Sequence, residues 1–349
     1  MKILIIRGAF GEVYEPSWVR ALLELGNDVS LFDSHAFLSP GFLGRLERRF
    51  LLGFGISRVR KESIKFALAM KPDLILLYQG HYHDRISIIR LKTIAWVTGY
   101  HNDNIFAALD DGRHKVRYRH LLKALPYYSS FHVYRESNIE DLRNCGVTHV
   151  GLLRSYYIPW LDTPFLYQKS VGFHCDVVFA GHPEPDGREK YLIALLENGI
   201  DLKIYGDPIR WKRLIPRRYH HQIADVRVLN PKDYRQALIS ANICLAFFSK
   251  WNRDDYTRRV FEIPAMKKFL MAERTDLMTL MYNEDTEAVY FCEIDEFVHK
   301  IKYYLNNPEM RKKIEVNGYN RCIKSGYDIF TVMNKFVSDL NSWKKLELE

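Results

Sequence analysis

The string FFSKWNRDDYTRRVFEIPAMKKFLMAE occupies residues 247–273. The apolar run that enters it, Ile243 to Phe248, predicts a buried strand. A polar loop follows, carrying Lys250, Arg253, Asp254 and Asp255. A short helix comes next with Arg258, Arg259 and Glu262, and then a second apolar run, Phe269 to Ala272. Strand, charged loop, short helix and strand together set the loop at the carboxyl edge of a parallel sheet, where open α/β sheets take their ligands. Cations on such a loop can meet phosphate, and a carboxylate on the helix can accept two ribose hydroxyls.

Working outward, the same alternation recurs on both sides. Toward the C-terminal half it predicts strands at Cys175–Ala180, Asp201–Tyr205 and Thr286–Cys292, with helices at Arg188–Glu197 and Pro231–Ser240. From Asp295 onward the chain reads as helical, with breaks near Asn307-Pro308, Gly318 and Gly326. An amphipathic last helix from Ile329 to about Trp343 is placed to cross back to the first half. Toward the N-terminus, Lys2–Arg7, Asp28–Phe32, Asp73–Tyr78, Thr93–Val97, Phe131–Tyr134 and Val147–Leu152 read as strands of the buried parallel kind. The turn Gly8-Ala9-Phe10-Gly11 reads as flexible, and a helix follows from Pro16. Ser137 with Glu140 three residues on predicts a capping box. The fold class is therefore α/β, with two Rossmann-like doubly wound domains facing a cleft. The expected boundaries are 1–155, a linker at 156–172, 173–325, and a terminal helix at 326–349.

The bulk numbers narrow the function classes. A chain of 349 residues with 47 % hydrophobic and 27 % charged side chains is globular, and long enough for two ordinary domains. No apolar stretch reaches the roughly 18 residues a spanning helix needs. The five cysteines are scattered without metal or redox spacing, so reduced core thiols in a cytoplasmic protein are expected. The net charge of +9 suits an anionic ligand, an anionic membrane or nucleic acid. Acids are interleaved with bases almost throughout, which argues against a nucleic-acid-binding stripe. Residues 41–71 are basic with Leu, Phe and Ile between the cations. They read either as an amphipathic helix pair on the inner face of an anionic membrane or as helices packed on their own sheet.

Several strings carry a family resemblance. They are Val177-Val178-Phe179-Ala180-Gly181, Arg188, Ile204-Tyr205-Gly206, Thr257 to Ala265 (TRRVFEIPA) with Phe269-Leu270, Glu296, and Tyr303 to Asn306. In these, roughly residues 175–325 resemble the GT-B-fold glycosyltransferases, in particular the spore-maturation CgeB-like branch of the group-1 type. The resemblance implies a nucleotide-diphosphate-sugar donor on the second domain and an acceptor on the first, with no cofactor besides the donor. Relatives carry two acids with seven residues between them, a spacing that Asp254 and Glu262 share. Glu262 is then expected on the donor ribose and Asp254 toward the donor sugar. Two departures stand out: the first acid is Asp rather than Glu, and Lys267 sits where the family usually has Gly.

The remaining candidates follow from chemistry and position. Arg188, Arg253, Arg258 and Arg259 are candidate diphosphate clamps, because a guanidinium meets phosphate bidentately and keeps its charge. Gly181 and Gly206 end strands where backbone N–H groups can approach a diphosphate, and Tyr205 can stack on the base or sit in the core. His101, after the Thr93–Val97 strand, and Asp103 are candidate bases for an acceptor hydroxyl. His81 and His83 have metal-like spacing but no third ligand. No D-x-D triplet occurs, so a metal-independent transferase is expected. The expected acceptor is a bacterial surface glycan or its lipid-linked precursor. The rival readings are a sugar-nucleotide epimerase on the same double fold and a non-catalytic sugar-nucleotide-binding protein.

Overall fold

The computed structural model describes residues 1–8, 14–107 and 112–347, the side chains of 112–115 left aside. Two compact units divide the chain: Met1–Arg154 with Ile329–Glu349, and Ser155–Asp328. Unit 1 begins β1 (Lys2–Ile6), α1 (Tyr14–Glu24), β2 (Asp28–Phe32), α2 (Gly41–Phe50), α3 (Phe54–Met70) and β3 (Leu74–Tyr78). It continues α4 (Arg85–Lys92), β4 (Trp96–His101), α5 (Gly112–Ala124), β5 (Ser130–Val133), α6 (Ser137–Asn144) and β6 (His149–Leu152). Unit 2 begins β7 (Cys175–Ala180), α7 (Arg188–Glu197), β8 (Leu202–Tyr205), α8 (Pro208–Leu214), α9 (Pro231–Ser240) and β9 (Ala241–Ala246). It ends α10 (Arg259–Ala265), β10 (Leu270–Glu273), α11 (Asp276–Met281), β11 (Val289–Phe291), α12 (Ile294–Asn306) and α13 (Pro308–Lys324). The last helix, α14 (Ile329–Leu346), packs on α1 and β6 of unit 1. There Trp343 lies against the His149 and His132 rings at 5.5 and 5.3 Å.

Among the described residues, unit 1 carries a sheet in the order β2-β1-β3-β4-β5-β6 and unit 2 one in the order β11-β10-β9-β7-β8. Every strand pair is parallel. Parallel strands covered on both faces need continuous apolar runs, and β3 (LILLY), buried at every position, is one. The strand order reverses between β1 and β3 in unit 1 and between β7 and β9 in unit 2. Ligand crevices of such sheets open at these reversals, beyond the carboxyl ends of the strands. The loop leaving β9 is the charged loop of residues 247–258, so the opening stretch lies at the unit 2 reversal.

Some boundaries differ from the sequence reading. The fourth strand starts at Trp96 and runs through His101, because Thr93 closes α4 with its amide on the Ile89 carbonyl. The N-cap of α6 is Glu136, without a side-chain cap bond, so Ser137 is the first helical residue and the capping box does not form. Gly318 breaks nothing: α13 runs through it, and its missing side chain lets the helix approach, since a Cβ there would lie 2.4 Å from the Glu287 carbonyl oxygen. Residues 156–172 belong to unit 2, with Asp162 fully buried and the Ser170 amide bonded to Ser240 Oγ at 3.0 Å. Ala9, Phe10 and Gly11 of the expected flexible turn lie outside the described residues. All five cysteines are free; three are buried, Cys145 is half-buried and Cys292 is exposed.

Candidate functional site

At the reversal in unit 2, the loops after β7 and β9 are tied together. Ser249 Oγ donates to Glu184 Oε2 at 2.5 Å, and Lys250 Nζ donates to the Asp186 carbonyl at 2.8 Å. Glu273, at the end of β10, accepts the Phe248 amide at 2.5 Å, and burial raises its pKa. Arg259, the first residue of α10, lies across the end of β7, its Nε donating to the Ala180 carbonyl at 2.5 Å. Gly181 makes room for it, since a Cβ there would come within 2.9 Å of Arg259 Nη2. Gly206 is more constrained still. Its φ of +153° is one that L side chains rarely adopt, and a Cβ would meet the Gly181 carbonyl oxygen at 2.3 Å. The two glycines therefore pinch the ends of β7 and β8 together. His182, next in the chain, is exposed; partial desolvation and then the Arg259 charge lower its pKa.

Glu262 faces inward in the first turns of α10 and is only 5 % exposed. Its Oε1 pairs with Arg258 Nε at 2.9 Å, and its Oε2 accepts from the Tyr234 hydroxyl at 2.8 Å. Burial, then the adjacent Glu262 charge, drive the Tyr234 pKa well above its usual value. Arg258 Nη2 also reaches Asp162 Oδ2 at 3.1 Å, and Asp162 Oδ1 accepts from Arg235 Nε at 2.7 Å. Two arginines and two carboxylates thus form a neutral buried chain, the form in which buried charge is tolerable. A carboxylate has about four acceptor positions. Tyr234 takes one on Oε2 by hydrogen bond and Arg258 faces Oε1 as an ion pair, which leaves each oxygen at least one position for a further donor. The i,i+4 pair with Arg258 therefore exists, but within a buried network rather than on a helix surface. Asp162, Tyr234 and Arg235 were not among the residues singled out by sequence. Their only cue was an acid in a proline-bearing segment and a tyrosine on a helix far along the chain.

Other expected residues fall in different places. Arg188 is 5 % exposed and turned under the β7 loop. It is bonded to Asp186 through Nε at 2.8 Å and to the His182 carbonyl at 3.0 Å, with Glu184 at 3.4 Å. Two carboxylates already compensate its charge, so it shapes the loop from beneath rather than presenting a cation above it. Tyr205 is 2 % exposed, packed between Phe173 and Arg227, with burial pushing its phenol up to about 12. It is a core aromatic, not a stacking platform. Arg253 is exposed in a left-handed turn, φ 55°, and the Asp254 amide bonds to the Ser249 carbonyl at 2.9 Å. Lys267 follows the C-terminus of α10, at the sheet edge opposite the loops. Its φ is 56°, which is why relatives prefer Gly there, and its ammonium lies 5.7 Å over the Tyr319 ring. It is not placed to meet a phosphate at the loop edge.

In unit 1, His101 ends β4 and is 1 % exposed. The Asp103 amide points at its Nδ1 at 2.9 Å and the Asp103 carbonyl lies 3.2 Å from the same nitrogen, while its Nε2 lies 3.4 Å from His81 Nε2. Both nitrogens are engaged, and burial with the neighbouring Arg117 lowers the His101 pKa to about 3. The imidazole is neutral and orients the 102–104 turn. Asp103 is the more accessible group of the two, about a third exposed, with Arg117 at 3.6 Å and the Tyr118 hydroxyl at 3.4 Å. His83 turns instead to Ser63 Oγ at 3.0 Å, so His81 and His83 do not converge. Among the described residues no three His, Cys, Asp or Glu side chains gather as metal ligands.

Residues 188–337 match the family model described as "Glycosyl transferase-like". By sequence, no curated protein matches the chain. Solved structures do match by fold. Sucrose-phosphate synthase from Thermosynechococcus elongatus gives a TM-score of 0.68 at 12 % identity, over 97 % of this chain and 99 % of that one. Anabaena HepE in complex with UDP and glucose gives 0.68 at 12 % identity, over 98 % and 100 %. Trehalose 6-phosphate synthase from Burkholderia multivorans gives 0.63 at 13 % identity, over 99 % of each. The architecture is therefore that of the GT-B glycosyltransferases: two parallel-sheet α/β domains in one chain.

Proposed function

We propose that the chain is a GT-B glycosyltransferase of the CgeB-like branch. It moves a sugar from a nucleotide-diphosphate donor held by unit 2 to a hydroxyl acceptor held by unit 1. The observation that carries this reading is Glu262: a buried carboxylate held by the Arg258 charge and the Tyr234 hydroxyl, with at least one acceptor position left on each oxygen. That is the form needed to take two vicinal ribose hydroxyls. Arg259, lying over the Gly181 turn, is assigned to the diphosphate, with Lys250 and Arg253 on the neighbouring loop. Stabilising leaving-group charge with fixed cations and backbone amides requires no metal. Asp254 is assigned to the donor sugar. The UDP-glucose that Anabaena HepE holds in its solved complex makes UDP-glucose the first donor to try.

On unit 1, Asp103 is assigned as the base for the acceptor hydroxyl and His101 as the group that holds its turn. The acceptor is assigned to a bacterial surface glycan or glycolipid, on the resemblance and on the basic 41–71 segment, which would bring the enzyme to the inner face of the membrane. Donor turnover by wild type, Glu262→Ala, Asp254→Asn and Asp103→Asn tests the assignment. Glu262→Ala should lose donor binding, and the other two should lose turnover with donor affinity retained. Unchanged kinetics in all three would overturn the roles. Conversion of the donor sugar without any acceptor would favour an epimerase.

A further inference from the structure

Unit 1 carries an apolar and basic face that its own core does not use. Phe42 and Leu43 in α2 are 64 % and 67 % exposed, Leu52 between α2 and α3 is 57 % exposed, and Phe54 at the start of α3 is 78 % exposed. Helical periodicity continues the Phe54 stripe through Arg58, Lys61, Lys65 and Leu68, all of them exposed. Arg45 and Arg49 sit over the Phe42 and Phe50 rings at 5.9 and 5.6 Å, so cations and apolar groups share one surface. Residues 41–68 contain seven Arg and Lys and two acids: Glu62, which pairs with Lys65 at 3.0 Å, and Glu47. Glu47 is turned inward, accepting the Ser39 amide at 3.2 Å and the Gly55 amide at 2.8 Å. It pins the turn between the helices, so the face is presented preformed and loses little entropy on docking.

We propose that the α2–α3 hairpin is a docking face for an anionic lipid bilayer, lying in the plane of the interface. Phe42, Leu43, Leu52 and Phe54 would enter the boundary between headgroups and acyl chains. Arg45, Arg49, Arg58, Lys61 and Lys65 would meet lipid phosphates. Charge selects this occupant over a second copy of the chain, which would bring like charges together. The exposed leucine and phenylalanine side chains select it over nucleic acid, whose backbone gives aliphatic groups nothing to cover them. Among the described residues no helix is long and apolar enough to cross a membrane. The inference rests on the acceptor reading above only in its biological sense; its test contains no sugar nucleotide, so either can fail alone.

The test is co-sedimentation of the full chain with vesicles of phosphatidylcholine, with and without phosphatidylglycerol. Binding is expected only with phosphatidylglycerol, and should weaken as salt is added. Phe42→Ser with Phe54→Ser should weaken it about tenfold or more, and Arg45→Gln by about fivefold. Circular dichroism of each variant confirms that these exposed positions leave the fold intact. Absence of binding to phosphatidylglycerol vesicles would overturn the proposal, as would equal binding to both vesicle types or binding indifferent to all three substitutions. So would self-association, measured by sedimentation equilibrium, that the Phe42/Phe54 variant abolishes, since the face would then belong to a second copy.

Discussion

Glu15 shows how much a single side chain can hide in an α/β edge. It lies in the first turn of α1, is fully buried, and faces Arg7 at 3.8 Å. Burial outweighs that cation and pushes its carboxyl up to about 7. A carboxyl whose folded pKa exceeds its unfolded value binds more protons folded than unfolded between the two. Stability contributed by the protonated form is therefore lost as pH rises from about 4.5 toward 7. Glu15→Gln should remove that slope, stabilising the protein by roughly 1–3 kcal/mol at about pH 8 and by little near pH 4.5. Urea unfolding at the two pH values checks it; equal effects at both would refute the burial account. At this scale the sequence was partly legible. Glu262, Arg259 and the two glycines could be picked out because they lie in one local string or at strand ends. Asp162 and Tyr234 could not, because they reach Glu262 and Arg258 only through the fold. Arg188 shows the same limit: sequence shows a charge, not the two carboxylates folded around it.

At the scale of elements, α10 carries a cost and its remedy. Pro264 lies inside the helix and has no N–H to give the Val260 carbonyl. The Tyr282 hydroxyl donates to that carbonyl instead, at 2.9 Å in the core. Tyr282→Phe should leave a buried acceptor unmet and destabilise unit 2 by about 1–3 kcal/mol. Thermal unfolding of the variant checks this, and an unchanged midpoint would mean the carbonyl finds another donor. Just past the same helix, Lys267 holds a φ of 56°, so Lys267→Gly should be neutral to stabilising by about 1 kcal/mol. A clear loss of stability would instead give weight to the contact with Tyr319. The strands of these elements were legible because buried parallel strands are apolar without interruption. Their ends were less so: β4 runs on through Thr98, Gly99 and His101, polar or small residues that read as loop until the sheet covers them.

At the scale of the whole molecule, the two units differ in how they should meet acid. His81, His83, His101 and His132 all lie buried in unit 1. Burial is the first cause that holds each of them neutral, to about 3 for His83, His101 and His132 and well below its usual value for His81. A histidine whose folded pKa is depressed takes up protons on unfolding below its unfolded value, so stability is lost as pH falls from about 6.5 toward 3. Four such groups outweigh the opposite slope of Glu15, and unit 1 should lose stability first. Calorimetry at about pH 7 and about pH 5 should show a transition in one half of the protein falling steeply while the other moves little. Parallel shifts of both would count against the assignment. The architecture was legible in the alternation of strands and helices along the chain, and the crossing of the amphipathic last helix to unit 1 was expected from it, whereas the place of Asp162 in unit 2 depends on long-range packing.

In the proposed donor site Glu262 holds the ribose. Its most direct test is calorimetric titration of UDP-glucose, and then other nucleotide sugars, into wild type and Glu262→Gln. Two hydrogen bonds to a charged acceptor predict saturable binding to the wild type, weakened about tenfold to a hundredfold in the variant. Absence of binding to every nucleotide sugar, or equal affinity in the two proteins, would contradict it.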